Sequence, residues 1–225
     1  MIPGAHHVKG EAAVRVTVFG ATGNIGQLVL RRLLDDGHEV TAFVRSPAKL
    51  GMAASAVDVV SAELTDEDAI REAVADADAV VSALGPPIDP FVRGTPLTDG
   101  TRRIVAAMHA EGVRRLVALA TVSVPDPRDR PRLLDRLVPI AIGLLIPGAL
   151  REVQGISEVV ATSGLDWTVA RIFAPIDVPA NHTVQAGFLG RDPVGVEMSR
   201  ADIADFLVDQ IGSEDFVGAS PAISN

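Results

Sequence analysis

The chain has 225 residues, 48% of them hydrophobic, and a formal net charge of −9. That length and apolar content suit one sizeable α/β domain with its own core and exclude a disordered chain. The acidic balance excludes a general nucleic-acid binder, which needs a basic face. Cysteine and tyrosine are both absent, so disulfides, thiolate catalysis, cysteine metal sites and a tyrosine acid are all excluded. No apolar run reaches the roughly 18 residues of a membrane span; residues 137–150 are too short and carry Pro139 and Pro147. Residues 1–11 lack an apolar signal core. Residues 1–13 therefore read as a disordered leader, with His6 and His7 as tail residues and not metal ligands, and 14–225 as one nucleotide-binding domain. No metal site is expected, and a cysteine-free chain fits the cytoplasm.

Residues 16–19 are an apolar, strand-like run that meets Gly20, Gly23 and Gly26, and an amphipathic helix follows at once through 27–34. Strand, glycine turn and helix in that order describe a phosphate cradle. Gly20 lets the chain turn sharply, Gly23 leaves room for a pyrophosphate, and Gly26 lets the helix sit close to the sheet. The helix N-terminus adds free N–H groups and partial positive charge. The spacing is G-x-x-G-x-x-G, not the G-x-G-x-x-G dehydrogenase fingerprint, and a purely structural turn is the competing reading.

The next strand, 39–45, ends in Arg45, where an NAD site usually carries a carboxylate for the ribose 2′-hydroxyl. Arg45, Ser46 and Lys49 together suit a 2′-phosphate, which favours NADPH over NADH. Ordinary surface charge after a strand is the alternative.

Beyond this point strand and helix patterns alternate. Strands are expected at 57–62, 79–84, 115–121 and 167–172, with helices at 66–74, 98–111 and 152–162, the last ended by Gly164. A further strand is expected at 184–189, and a helix at 199–211 with Ser199 as its N-cap. The alternation predicts a single Rossmann-type domain with a doubly wound parallel sheet. Two segments break the rhythm: 85–97 holds four prolines and two glycines, and 124–147 holds five prolines. Both leave the carboxyl ends of strands, where ligands bind in open α/β sheets, so they read as substrate lids. For 137–150, an ordinary packed helix or a subunit contact is an equal alternative, and a homo-oligomer stays open.

Several of these residues together resemble a known group. Gly20-Ala21-Thr22-Gly23-Asn24-Ile25-Gly26, Val44-Arg45, Ser82 to Gly85, Ser163-Gly164-Leu165-Asp166-Trp167-Thr168 with Arg171, and Ser199-Arg200-Ala201-Asp202-Ile203-Ala204-Asp205 occur in matching order. They resemble the atypical short-chain dehydrogenase/reductases, a group that includes NmrA-like proteins and the flavin reductase/biliverdin-IXβ reductase type. The resemblance implies pyrophosphate contacts from Gly20, Thr22, Gly23, Asn24 and Ile25, and a 2′-phosphate on Arg45, with Ser46 and Lys49 beside it. It implies adenine beside Glu63 and Leu64, ribose over Ala83, Leu84 and Gly85, and nicotinamide near Thr121, Ile172 and Phe173. It also exposes a departure. Typical members use a Tyr and, four residues on, a Lys; counting back from Glu158, those positions are Leu150 and Gln154.

The cofactor site is thus kept while the usual proton donor is missing. General acid catalysis contributes about 10²- to 10⁴-fold, so its loss weighs most on simple ketones. Flavins, quinones and linear tetrapyrroles accept hydride without it, because solvent can protonate them. The expected activity is NADPH-dependent reduction of a conjugated small molecule, oriented by Thr121 or Ser123, with His182 as a weaker candidate donor. The rival reading is a non-catalytic, NADP-binding redox sensor of the NmrA-like type.

Overall fold

The six strands expected from the apolar runs all form and all run parallel. The computed structural model describes residues 13–86, 94–130 and 147–225. Its elements are β1 (Arg15–Phe19), α1 (Asn24–Asp35), β2 (Glu39–Val44), a 3-10 segment (Pro47–Ser55), β3 (Asp58–Ser61), α2 (Glu67–Val74), β4 (Ala79–Ser82), α3 (Pro96–Glu111) and β5 (Arg115–Thr121). Then follow α4 (Pro147–Ala161), β6 (Asp166–Ile172), β7 (Ala174–Ile176), β8 (Gln185–Gly187), β9 (Glu197–Ser199), α5 (Arg200–Asp209) and β10 (Ala222–Ser224). The main sheet has the order β3-β2-β1-β4-β5-β6-β10-β8, with only β8 antiparallel to its neighbour, and β7 and β9 form a small parallel pair. This is a Rossmann-type doubly wound sheet, and the order reverses between β1 and β4, where such sheets open a crevice for ligands. Among the described residues no helix is long and apolar enough to cross a membrane.

Both faces of the sheet are covered, which is why its strands read as continuous apolar runs. On one face Val29, Leu30 and Leu33 of α1 and Ile203 and Leu207 of α5 pack on Val16 and Val18. On the other, Ile70 of α2, Ile104 and Met108 of α3, and Val153 and Val160 of α4 pack on Val80 and Leu116. Local chemistry sets the helix starts. Asp66 caps α2 by accepting from Ala69 N at 3.0 Å, and Ser199 caps α5 by accepting from Asp202 N at 3.0 Å. The start of α3 is capped from outside: buried Glu152 of α4 accepts from Leu97 N and Thr98 N, each at 2.9 Å, and from Thr98 Oγ1 at 2.6 Å.

Several expectations need correcting. The helix expected at 152–162 begins at Pro147, so it takes in Leu150 as well as Gln154. The strand expected at 79–84 ends at Ser82, leaving 83–85 as irregular backbone over the crevice. Residues 1–12 of the expected leader and most of both lid segments (87–93 and 131–146) lie outside the described residues. The part of the second lid that is described, 124–130, is fastened to the sheet and does not stand off as a cover.

The fastening is a buried ion pair. Arg171 of β6 is 0% exposed and grips Asp129 with two guanidinium nitrogens, at 2.6 and 2.8 Å. Its remaining donors reach Val124 O at 2.8 Å and Ser220 O at 2.6 Å. Asp129 also accepts from Asp126 N and Leu189 N, each at 2.9 Å. Burial alone would raise the Asp129 carboxyl, but these bonds and the Arg171 charge hold it below the ordinary aspartate range. A carboxyl depressed in the folded state stabilises the fold above about pH 4, and the gain fades as pH falls through the lower folded value. Leaving one partner of a buried pair uncompensated costs about 3–5 kcal/mol. Asp129→Asn should therefore lower unfolding stability by about that amount at neutral pH in urea titrations. It should also flatten the loss of stability below pH 4; an unchanged acid limb would show that the pair does not contribute.

Candidate active site

Because β1 to β6 are parallel, their carboxyl ends share one edge. Register makes the neighbours definite: Phe19 pairs with Phe43 and Ser82, Val44 with Ser61, Ser82 with Ala118, and Thr121 with Ile172. The residues singled out from sequence stand along this edge in the order of the strands. Glu63 and Leu64 follow β3, Arg45 and Ser46 follow β2, the glycine turn follows β1, Ala83 to Gly85 follow β4, Thr121 closes β5, Ile172 closes β6 and Phe173 follows it. With neighbouring strands ~4.8 Å apart, the row spans about 24 Å.

The glycine turn is built by close backbone contact. Gly20 has φ +79°, and a Cβ there would lie 2.7 Å from the Ala83 carbonyl carbon. A Cβ at Gly26 would lie 2.1 Å from Gly20 O. Gly26 thus brings the helix against the turn itself, a correction to the expected contact with the sheet. Gly23 is the N-cap of α1; its N–H donates to Gly20 O at 3.0 Å and no side chain caps the helix. No acidic residue stands in the first turn of α1, whereas α2 carries Glu67 and Asp68 there and α5 carries Asp202. Exposed Asn24 and half-buried Thr22 and Ile25 surround this uncapped end. A Cβ at Gly85 would meet nothing within 4 Å. An open, positively polarised helix end between two close-packed glycines and an unobstructed one fits a dinucleotide's pyrophosphate.

Beyond β2, Arg45, Ser46 and Lys49 are all exposed, and neither cation enters an ion pair among the described residues. Sequence reasoning missed Gln27. Its Nε2 donates to Thr22 O at 3.4 Å and to Lys49 O at 3.3 Å, so it ties the glycine turn to the segment that carries Lys49. At the other end of the row the hydroxyls of Thr121 and Ser123 are 2.5 Å apart; Ser123 is buried and Thr121 half-buried.

Residues 20–214 match the NAD(P)H-binding family. The chain belongs to this family. It is 34% identical over 171 residues, 70% of its length, to a 3-diazoavenalumate denitrifying reductase from a Streptomyces species, and spans 55% of that relative. Among solved structures, a short-chain dehydrogenase/reductase from Veillonella parvula in complex with NADP superposes with a TM-score of 0.77 at 17% identity, covering 95% of each chain. ChuY, an anaerobilin reductase from Escherichia coli O157:H7, gives 0.73 at 18% identity, covering 93% of this chain and 96% of its own. At these identities the two structures establish a shared fold.

In this NAD(P)H-binding chain, Leu150 and Gln154 lie on the same face of α4, one turn apart, Leu150 half-buried and Gln154 exposed. Neither carries an acid. The ring Nδ1 of exposed His182 lies 3.4 Å from Asp205, which Arg32 of α1 holds at 2.9 Å. Donor atoms of His182, Asp202 and Asp205 fall within 4.8 Å of one another. They do not make a free donor set. The Asp202 oxygens already accept from Asn181 N at 3.0 Å, His182 N at 2.9 Å, Ser199 Oγ at 2.7 Å and Asn225 Nδ2 at 3.0 Å.

The two kinds of glycine should respond differently to a methyl group. Gly26→Ala gains about 1 kcal/mol of helix propensity, but its Cβ meets a backbone oxygen that cannot swing away. Overpacking of this kind costs about 1–3 kcal/mol, so thermal unfolding should show net destabilisation. Gly85→Ala should leave thermal stability within about 0.5 kcal/mol of the parent.

Proposed function

We propose that this chain is an NADPH-dependent oxidoreductase that reduces a conjugated small-molecule acceptor, of flavin or quinone type, without a tyrosine–lysine pair. The observation that carries the reading is the contrast along one sheet edge. The phosphate end has its uncapped helix and glycine turn, while the α4 positions that would supply a proton hold Leu150 and Gln154. The related Streptomyces protein is named a reductase, which supports the class of reaction. The absence of cysteine is consistent with the cytoplasm.

In this reading Gly20, Thr22, Gly23, Asn24 and Ile25 hold the pyrophosphate, and Arg45, Ser46 and Lys49 hold the 2′-phosphate. Glu63 and Leu64 lie beside the adenine, and Ala83, Leu84 and Gly85 beneath the ribose. Thr121, Ile172 and Phe173 border the nicotinamide, which supplies a hydride when bound. Ser123 fixes the Thr121 hydroxyl through their mutual hydrogen bond, and the pair orients the acceptor. Water protonates the reduced acceptor, whose charge is delocalised.

Two measurements test this. By calorimetry NADPH should bind more tightly than NADH. Arg45→Ala should remove about 10- to 150-fold of NADPH affinity, the range for a hydrogen bond to a charged group, and leave NADH unchanged. Equal affinity for the two cofactors in the parent would overturn the choice of NADPH. In steady-state assays, menadione and lumiflavin should be reduced faster than cyclohexanone. Thr121→Ala should lower kcat by less than the roughly 10²-fold that marks a lost general acid. Fast, stereospecific reduction of the ketone would reveal a proton donor elsewhere. Tight NADPH binding with no oxidation by any acceptor would favour the redox-sensor reading.

A further inference from the structure

We infer that Gln27 is a specificity-determining residue: it positions Lys49 against the glycine turn, and so sets how strongly NADPH is preferred to NADH. The inference rests on the two phosphate subsites assigned under the proposed function. Gln27 is the fourth residue of α1, and its backbone N–H donates to Gly23 O at 2.9 Å. Its side-chain Nε2 spans two segments, donating to Thr22 O at 3.4 Å and to Lys49 O at 3.3 Å. A primary amide has two N–H donors, and both are taken here. Gln27 therefore has no donor left for a phosphate. It acts through the backbone that it holds.

Lys49 needs such a hold more than Arg45 does. Arg45 directly follows β2 and is placed by the sheet, whereas Lys49 lies four residues on, in the 3-10 segment. Lys49 N donates to Ser46 O at 3.0 Å, which fixes the shape of that turn but not its distance from the glycines. The Ser46 side chain makes no cap, and Gly51, at φ +58° and ψ −133°, breaks the helical path just beyond. Two anchors remain on the α1 side. Leu50, 5% exposed, shares a core cluster with Val29 and Leu30 of α1, an apolar contact without direction. The Gln27 amide supplies the direction. The glycine turn is less dependent on it, because Gly23 N also donates to Gly20 O at 3.0 Å. NADPH carries its pyrophosphate and its 2′-phosphate on one ribose, so it reaches the turn and the Lys49 segment at once. NADH reaches only the turn. A cation already in place binds better than one that must be ordered on binding, so the bridge favours NADPH selectively.

Calorimetry on the full chain tests this with Gln27→Met, which keeps the length of the side chain and removes both donors. NADPH affinity should fall about 2- to 12-fold, the range for one neutral hydrogen bond. NADH affinity should stay within about 2-fold of the parent, which also shows that the variant is folded. In a Lys49→Ala background, Gln27→Met should have no further effect on NADPH, since the bridge then has no cation to place. In the cofactor-free chain, amide hydrogen exchange at 48–50 should quicken in Gln27→Met. The inference is overturned if both cofactors weaken equally, if NADPH affinity is unchanged, if the Gln27→Met and Lys49→Ala effects add, or if exchange at 48–50 is unchanged. Equal affinity for the two cofactors in the parent would overturn the NADPH reading and this inference with it. A parent preference that survives Gln27→Met overturns the inference alone.

Discussion

A guanidinium with no access to water must have its donors met by the protein, and much of this fold is arranged around that requirement at Arg171. Its partners come from three places: the segment after β5 through Val124 and Asp129, the approach to β10 through Ser220, and, through Asp129, Leu189 in the turn after β8. A charge removed from water is tolerable only when its geometry is fully satisfied. Each of these segments is thereby held to one position. The segment that follows β5 and the approach to β10 are thus both held by the solvation needs of one side chain.

The candidate site is legible in sequence to the extent that its chemistry is local. A strand, three glycines and a helix lie within 20 consecutive residues, and their spacing alone implies the turn that Gly20 and Gly26 make. Ser199 and Asp66 as helix caps are equally local, since each bonds a backbone N–H three residues on. Arg45 needs only the end of a strand to be recognised. What the sequence does not show is long-range. The cap on α3 is Glu152, more than 50 residues away. Asp129 has no visible reason to be buried until Arg171 is placed beside it. Short strands such as β7, β9 and β10, three residues each, carry too little periodicity to announce themselves. Gln27 looks like any exposed helical residue until the segment carrying Lys49 folds back against it.

The family match and the chemistry of α4 pull in different directions, and the difference is informative. Binding a dinucleotide needs backbone shape and a helix end, both of which tolerate wide changes in side chains. Proton transfer needs one side chain at one place. A family can therefore keep its cofactor row while individual members lose the donor, and the row alone says little about what is reduced. At the end of β5 this chain carries a hydroxyl pair, Thr121 and Ser123, and under the proposed function its short mutual bond suits holding a carbonyl or ring nitrogen in place. It does not suit supplying a proton.

The placement of β10 bears on how the chain folds as it is made. Its residues pair with β6 only after more than 40 intervening residues, and they bring the Ser220 carbonyl that Arg171 needs. While residues 219–224 are still inside the ribosome, β6 is an unprotected sheet edge and Arg171 keeps part of its hydration. The first five strands, by contrast, have neighbours available soon after synthesis. Completion of the sheet beyond β6 is thus a late, non-local event, of the kind that proceeds slowly and leaves strand edges open to other chains.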